Sequence, residues 1–313
     1  MTDSFDKNQN KEIDSYKMEL LSSCPVCNSE KIGNYISCKD HLLTNESFSI
    51  VKCNDCGFKF TNPRPEQAEL GKYYQSPEYI SHSDSRKGIF NKIYQLIRKY
   101  TNFLKYRMIS RYSAGNKILD IGCATGEFLY YMKSRNWITM GIEPDIQARQ
   151  KAVEAYGLKV YDESYIDKIP NDSIDVITLW HVLEHVSDLS GRMKALERIL
   201  KPGGIIVLAV PNAACQDAFI YQDFWAGYDV PRHLYHFSRP SMEKMLIRNN
   251  FNLNMTKPMK FDAFYVSILS EKYKYGKLRW IHGLWNGYCS NRKARKTGDY
   301  SSLIFISQKE KLI

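Results

Sequence analysis

Residues 117–127, KILDIGCATGE, decide the fold. The apolar run through Ile121 reads as a buried strand, Gly122 to Gly126 as a turn, and the following residues through Arg135 as a helix. Outward from this unit the pattern repeats. WITMGIE predicts a second strand and the residues to Tyr156 a helix; a short strand follows at 159–161 and another in SIDVITLW. A helix near Leu189–Leu200 is expected to stop at the KPGG turn. IIVLAV, apolar throughout, reads as a strand covered on both faces. FNLNMTKPMKF and SSLIFISQK add two more. Strands alternating with helices predict an α/β class protein, a doubly wound, Rossmann-like, seven-stranded sheet.

The turn also carries chemistry. Gly122 and Gly126 let the backbone bend sharply and lie close to a ligand, and the helix that follows offers free N–H groups suited to a carboxylate. Glu143 ends the second strand, where doubly wound folds bind ribose hydroxyls. A dinucleotide site would read G-x-G-x-x-G, whereas Ala124 stands here at the second glycine. Asp120 suits the ammonium of an amino-acid tail better than a pyrophosphate.

In order along residues 117–212, the segments ILDIGCATG, GIEPD, DVITLWHVLEHV, LKPGG and LAVPN resemble the class I S-adenosylmethionine-dependent methyltransferases. That resemblance implies S-adenosyl-L-methionine as cofactor. It implies Asp120, Gly122, Cys123 and Gly126 around the methionine moiety, Glu143 and Pro144 at the ribose, and Glu163 and Ser164 by the adenine. Trp180 and His181 would border the transferring methyl group. YDESYIDKIP, around the third strand, departs from the family's usual Asp-plus-apolar pattern. His181-x-x-Glu184-His185 also matches an inverted zinc-protease spacing, but it follows a parallel strand, so Glu184 and His185 read as structural or as lying behind the pocket.

Of eight cysteines, four form close pairs: Cys24-x-x-Cys27 and Cys53-x-x-Cys56. Two such turns converge four thiolates on a tetrahedral, structural Zn²⁺ with no open position, in a module too small to fold on its core alone. The pattern argues for a reducing, cytoplasmic setting over a disulfide framework. Alternation at Phe48, Ile50, Phe58 and Phe60 predicts short strands within it. The expected organisation is a flexible lead-in (1–20), a zinc module (21–65), connecting helices (66–115) and a methyltransferase domain (116–313) with substrate insertions near 213–240 and 262–298. In the connecting region, apolar Ile89, Ile93, Ile97, Tyr100, Leu104 and Met108 recur at helical spacing among basic residues, predicting a helix packed on its neighbour.

The insertion after the fifth strand, with Phe224, Trp225, Tyr228, Arg232, His233, Tyr235 and His236, reads as a substrate lid. His233 is the leading candidate base, with His236 and His181 behind it; Arg232 could grip an anionic group. The layout of a CGF-x-x-x-NPRP module with a later PRHL-x-x-FS segment resembles methyltransferases of sugar and polysaccharide pathways, implying a small-molecule acceptor such as a sugar or nucleotide-linked sugar. The chain is basic, with net charge +10, which also admits an RNA methyltransferase. Yet Lys31, Lys39, Lys52 and Lys59 in the module are balanced by Glu30, Asp40, Glu46 and Asp55, so the nucleic-acid signal is not strong. A catalytically silent, cofactor-binding scaffold is the third reading. No apolar run reaches the length of a membrane span.

Overall fold

The computed structural model describes residues 17–75 and 89–310, with side chains in the second stretch from residue 98 onward. The lead-in up to residue 16 and the side chains of Ile89, Ile93 and Ile97 lie outside the described residues.

In chain order the N-terminal part forms β1 (Met18–Glu19), β2 (Ile32–Lys39), β3 (Ser47–Cys53), β4 (Lys59–Thr61), β5 (Arg64–Pro65) and α1 (Gln67–Leu70), then the long helix α2 (Ile89–Tyr112). Next come β6 (Lys117–Ile121), α3 (Glu127–Lys133), β7 (Ile138–Ile142), α4 (Ile146–Tyr156), β8 (Val160–Tyr161), β9 (Ile174–Trp180), α5 (Leu189–Ile199) and β10 (Leu200–Pro211). The last part holds α6 (Gln216–Tyr221), β11 (Tyr235–His236), α7 (Arg239–Arg248), β12 (Phe251–Pro258), α8 (Asp262–Tyr275), α9 (Trp280–Thr297) and β13 (Ser302–Lys309).

The expected α/β sheet has seven strands in the order β12-β13-β10-β9-β6-β7-β8. Strands β10, β9, β6, β7 and β8 are parallel, and β13 and β12 join antiparallel. From β6 the chain steps outward to β7 and β8, then returns to β9 on the other side. The strand order therefore reverses between β6 and β9, and the crevice where such folds bind ligands opens at their carboxyl ends. Ile205 to Ala209 of β10 are fully buried, as expected for a strand covered on both faces. KPGG is no separate turn: it lies inside β10, where the pairing with β9 slips between Leu200 and Ile205, a bulge that absorbs the glycines.

Among its described side chains, helix α2 buries part of the expected apolar stripe, with Met108 packed on the core. Tyr100 and Leu104 are exposed, while Asn102 and Ile109 are buried and Lys105 is half-buried. Tyr106, Ile109 and Tyr112 also pack on the core, and the Lys105 ammonium lies 3.9 Å from the centre of the Trp180 ring.

The cysteine region and the sheet share one core. Strands β2, β3 and β4 form an antiparallel sheet, and β11 pairs with β4 to make the fourth strand. A continuous buried apolar cluster runs from Cys24, Phe58 and Phe60 through Tyr235 and Phe237 to Leu246 and Phe251. The segment read from sequence as a lid over the crevice is thus also a strand of the N-terminal sheet. The insertion near 262–298 is the helical pair α8 and α9.

Candidate active site

The β6 turn has the geometry its glycines foretell. Gly122 and Gly126 sit at φ of 72° and 82°. A Cβ on Gly122 would meet Val182 Cγ2 at 2.4 Å, and one on Gly126 would meet Ala152 Cβ at 2.9 Å, so any side chain would force the helix or the loop outward. Ala124, also left-handed at 47°, is held there by its N–H, which donates to Glu143 Oε2 (2.8 Å). Asp145 N donates to the other oxygen of Glu143 (2.9 Å). Burial pushes the Glu143 carboxyl upward while these two amides pull it back, and each oxygen keeps a lone pair for a further donor.

Asp120 is buried, and Thr178 Oγ1 of the neighbouring strand donates to its Oδ1 at 2.5 Å. Burial pushes this carboxyl up to about 7, with Thr178 and the Lys105 ammonium opposing. Burial likewise pushes Lys105 down to about 8 against the pull of Asp120 and Asp262. Trp180 packs edge-on to Phe128, and among the described residues its buried indole N–H has no hydrogen-bond partner. A carboxylate wanting a cation, two more carboxylate lone pairs and an orphaned donor, all at the carboxyl ends of β6, β7 and β9, match the polar ends of an adenosyl amino acid. The Cys123 side chain packs into the core, with Sγ so near Gly141 that a Cβ there would lie 2.6 Å away, so its backbone is what it offers a ligand. Pro144 is exposed after β7. Glu163 is paired with Arg192, and Ser164 Oγ donates to Asp162 Oδ1 (2.5 Å), so Asp162, which spacing did not single out, organises the end of β8.

His181, at a left-handed φ of 56°, ends β9 between two carboxylates. Its Nδ1 lies 3.4 Å from Glu184 Oε1 and its Nε2 3.3 Å from Asp262 Oδ2. Against the pull of burial, these acids raise it to about 10. Both ring nitrogens face a carboxylate, an arrangement that favours the protonated ring over a free base. Asp262, the first residue of α8, carried no sequence signal, because the contact exists only once α8 folds back on β9.

His185 and His233 cluster beside Glu184. One ligand atom each of Glu184, His185 and His233 lies within 4.8 Å of the others, and the rings of His185 and His233 meet edge to face at 4.6 Å. His233 Nδ1 is 2.9 Å from the Gly227 carbonyl. A carbonyl only accepts, so Nδ1 donates there, and Nε2 is left facing Asp229 Oδ2 at 3.9 Å. His185 Nδ1 lies between the Tyr74 hydroxyl (2.9 Å) and the Arg232 carbonyl (3.0 Å). Burial, followed by His233, pushes His185 down to about 4.

Much of the expected lid is interior. Arg232 is buried; it donates to Asp40 (2.8 Å), to both oxygens of Asp229 and to the Tyr73 carbonyl. Its fork is filled by protein, so it does not grip a substrate anion. His236 is buried against Thr61 Oγ1 (3.1 Å) and Tyr228, and burial holds it far below the usual imidazole range. Sealed from the crevice, it is no base. Trp225 donates to Asp217 (2.9 Å), and Tyr235 donates to the Ser187 carbonyl and accepts from Arg64. Trp225, Tyr228 and Tyr235 are all buried, so they frame the segment and leave little surface for substrate. Phe224 is only half-buried and tilts against His41, which stacks on Tyr273.

The four cysteines converge as spacing predicts. Cys24 and Cys56 Sγ are 3.5 Å apart, as are Cys27 and Cys53 Sγ, and all four sulfurs lie within 4.8 Å of one another. Asn28 N donates to the Cys24 carbonyl and Gly57 N to that of Cys53, giving two matching turns. Edges of about 3.8 Å follow from tetrahedral metal–sulfur bonds of about 2.3 Å, so the donor set fits such an ion.

A family profile described as a methyltransferase domain matches residues 91–255, more than half of the chain. Similar curated proteins include the ubiquinone biosynthesis O-methyltransferase of Pseudomonas putida (strain W619), 27% identical over 156 residues, or 47% of this chain and 64% of that one. The protein of that name from Haemophilus ducreyi is 29% identical over 160 residues, covering 47% and 65%. The chain therefore spans just under two thirds of the length of these relatives. Solved structures with a similar fold include a SAM dependent methyltransferase from Archaeoglobus fulgidus, 18% identical with a TM-score of 0.47, covering 68% of this chain and 94% of that one. Another, from Methanosarcina mazei, is 17% identical with a TM-score of 0.46, covering 66% and 98%. With the profile match lying over the strands and the glycine turn that open the crevice, the chain belongs to the methyltransferase-domain family, as its resemblance to the class I S-adenosylmethionine-dependent enzymes implied.

Proposed function

We propose that the protein is an S-adenosylmethionine-dependent methyltransferase that modifies a small-molecule acceptor, with a structural zinc ion in its four-cysteine site. The observation that carries this reading is the grouping of Asp120 and Glu143 at the reversal point of the sheet. Asp120 would take the cofactor's ammonium and Glu143 the ribose hydroxyls, while the Gly122–Gly126 bend gives the tail room. The bound cofactor supplies an electrophilic methyl group on a sulfonium sulfur. The chain supplies alignment and a proton acceptor.

His233 is the base in this reading, because the Gly227 carbonyl takes up Nδ1 and leaves Nε2 as the nitrogen open to an acceptor. His181, flanked by Asp262 and Glu184, would instead set the electrostatic field at the end of β9. The module-plus-PRHL layout favours a sugar or nucleotide-linked sugar. The name of the curated relatives adds a second class, an intermediate of ubiquinone biosynthesis. Incubation with labelled cofactor and both acceptor classes separates them by which product carries the label. In the His233→Ala variant turnover falls about 10²- to 10⁴-fold while calorimetry gives an unchanged cofactor Kd. Wild-type turnover in that variant removes His233 from the chemistry, and absence of cofactor binding by folded wild-type protein removes the whole reading.

A further inference from the structure

Helices α8 and α9 are amphipathic in the reverse sense. The buried residues of α9 are Gly283, Gly287, Ser290 and Ala294, and those of α8 are Ala263, Ser267, Ser270 and Glu271. The two backbones come so close that a Cβ on Gly283 would sit 2.7 Å from Ile268 Cα, and one on Gly287 would sit 2.9 Å from the Ala263 carbonyl oxygen. The large apolar side chains point outward. Trp280, Leu284 and Tyr288 form one row along α9 and Ile281 and Trp285 the next, with Ile281 81% and Trp285 64% exposed. Small residues inside and large ones outside is an arrangement suited to a helix pair whose outer face meets another apolar phase.

Charge tells which phase. Residues 272–298 contain eight lysines and arginines and no Asp or Glu. Lys274 and Lys277 precede the apolar rows, and Arg292, Lys293, Arg295 and Lys296 follow them; all six are exposed. Trp and Tyr flanked by basic residues fit the boundary between lipid headgroups and acyl chains. A two-fold contact between copies of the chain would oppose this face to itself, bringing like charges together with no acid in the stretch to compensate. RNA would use the cations but would leave Ile281 and Leu284 in water. Among the described residues no helix is long and apolar enough to cross a membrane, so the contact would be peripheral.

We infer that the α8–α9 pair docks the protein on an anionic lipid bilayer, with the Trp280–Tyr288 face inserted at the interface and the flanking lysines and arginines on the headgroups. The pair starts at Asp262, which contacts His181 at the crevice, so docking would bring the candidate active site to the membrane surface. The inference does not depend on methyl transfer, and its test reads binding alone.

The full-length, zinc-loaded protein is sedimented with vesicles of phosphatidylcholine alone and of equal parts phosphatidylcholine and phosphatidylglycerol. Binding is expected to be at least about tenfold stronger to the anionic vesicles and to fall with added salt. Trp280→Ser with Trp285→Ser should abolish it, and a second variant, Arg292→Gln with Lys293→Gln, Arg295→Gln and Lys296→Gln, should weaken it about tenfold or more. These positions are exposed, and the charge variant leaves every apolar side chain in place. Three results would overturn the inference: equal partition to both vesicle types, a soluble dimer lost on the tryptophan substitutions without vesicle binding, or retention on RNA but not on lipid.

Discussion

Asp120 and Arg232 are both buried charges, and their surroundings give them opposite consequences. Asp120 is a carboxyl raised to about 7 by burial, so near neutral pH part of the protein holds it protonated. A cationic ligand group binds only the ionised form and lowers its pKa, so binding releases a proton. Cofactor affinity should therefore drop as pH falls through about 7 and level off above it, which calorimetry across pH would trace. Asp120→Asn should weaken binding about ten- to a hundredfold, the effect of one charge-assisted hydrogen bond, and flatten that profile. Arg232 is fully paired with Asp40 and Asp229 inside the protein. Arg232→Leu leaves buried carboxylates without a counter-charge and should cost about 3–5 kcal/mol in denaturant unfolding. A substrate clamp would show the reverse, a raised KM with unchanged stability.

At the scale of elements, close backbone approach decides how α8 and α9 pack. Gly287→Val puts branched carbons where the Ala263 carbonyl already stands and should destabilise the protein by about 1–3 kcal/mol, read from the urea midpoint. The same substitution at exposed Trp285 should change stability by no more than about 0.5 kcal/mol. Helix α2 illustrates the limit of periodicity. Its apolar stripe was visible in sequence, yet Tyr100 and Leu104 face solvent while Lys105 reaches Trp180. Hydrophobic spacing cannot register a long amphipathic side chain that buries its stem and finds carboxylates across a crevice.

At the scale of the molecule, the cysteine site and the crevice are mechanically joined. Strand β11 pairs with β4, and Thr61 Oγ1 donates to the His233 carbonyl at 2.9 Å. Removing the metal from the proposed site should therefore disturb more than the N-terminal module. Strong chelator with gentle heating is expected to release one zinc per chain, lower the melting temperature and reduce methyl transfer, with zinc restoring all three. Retained activity in protein shown to be metal-free would separate the site from the crevice. Cys53→Ser should mimic chelation, whereas Cys289→Ser, outside the cluster, should not.

The sequence alone determined the α/β sheet, the glycine turn after β6, the acid ending β7 and the pairing of the cysteines. Each is local: strands and turns follow from spacing within a few residues, and each cysteine pair sits on one turn. Tertiary structure alone decided which histidines meet beside Glu184, that Arg232 and His236 are interior, and that Lys105 and Asp262 border the crevice. These depend on contacts between residues far apart in the chain, such as Arg232 with Asp40 or His181 with Asp262. A side chain's charge and availability are set by what surrounds it after folding, and residue type and spacing do not encode those neighbours.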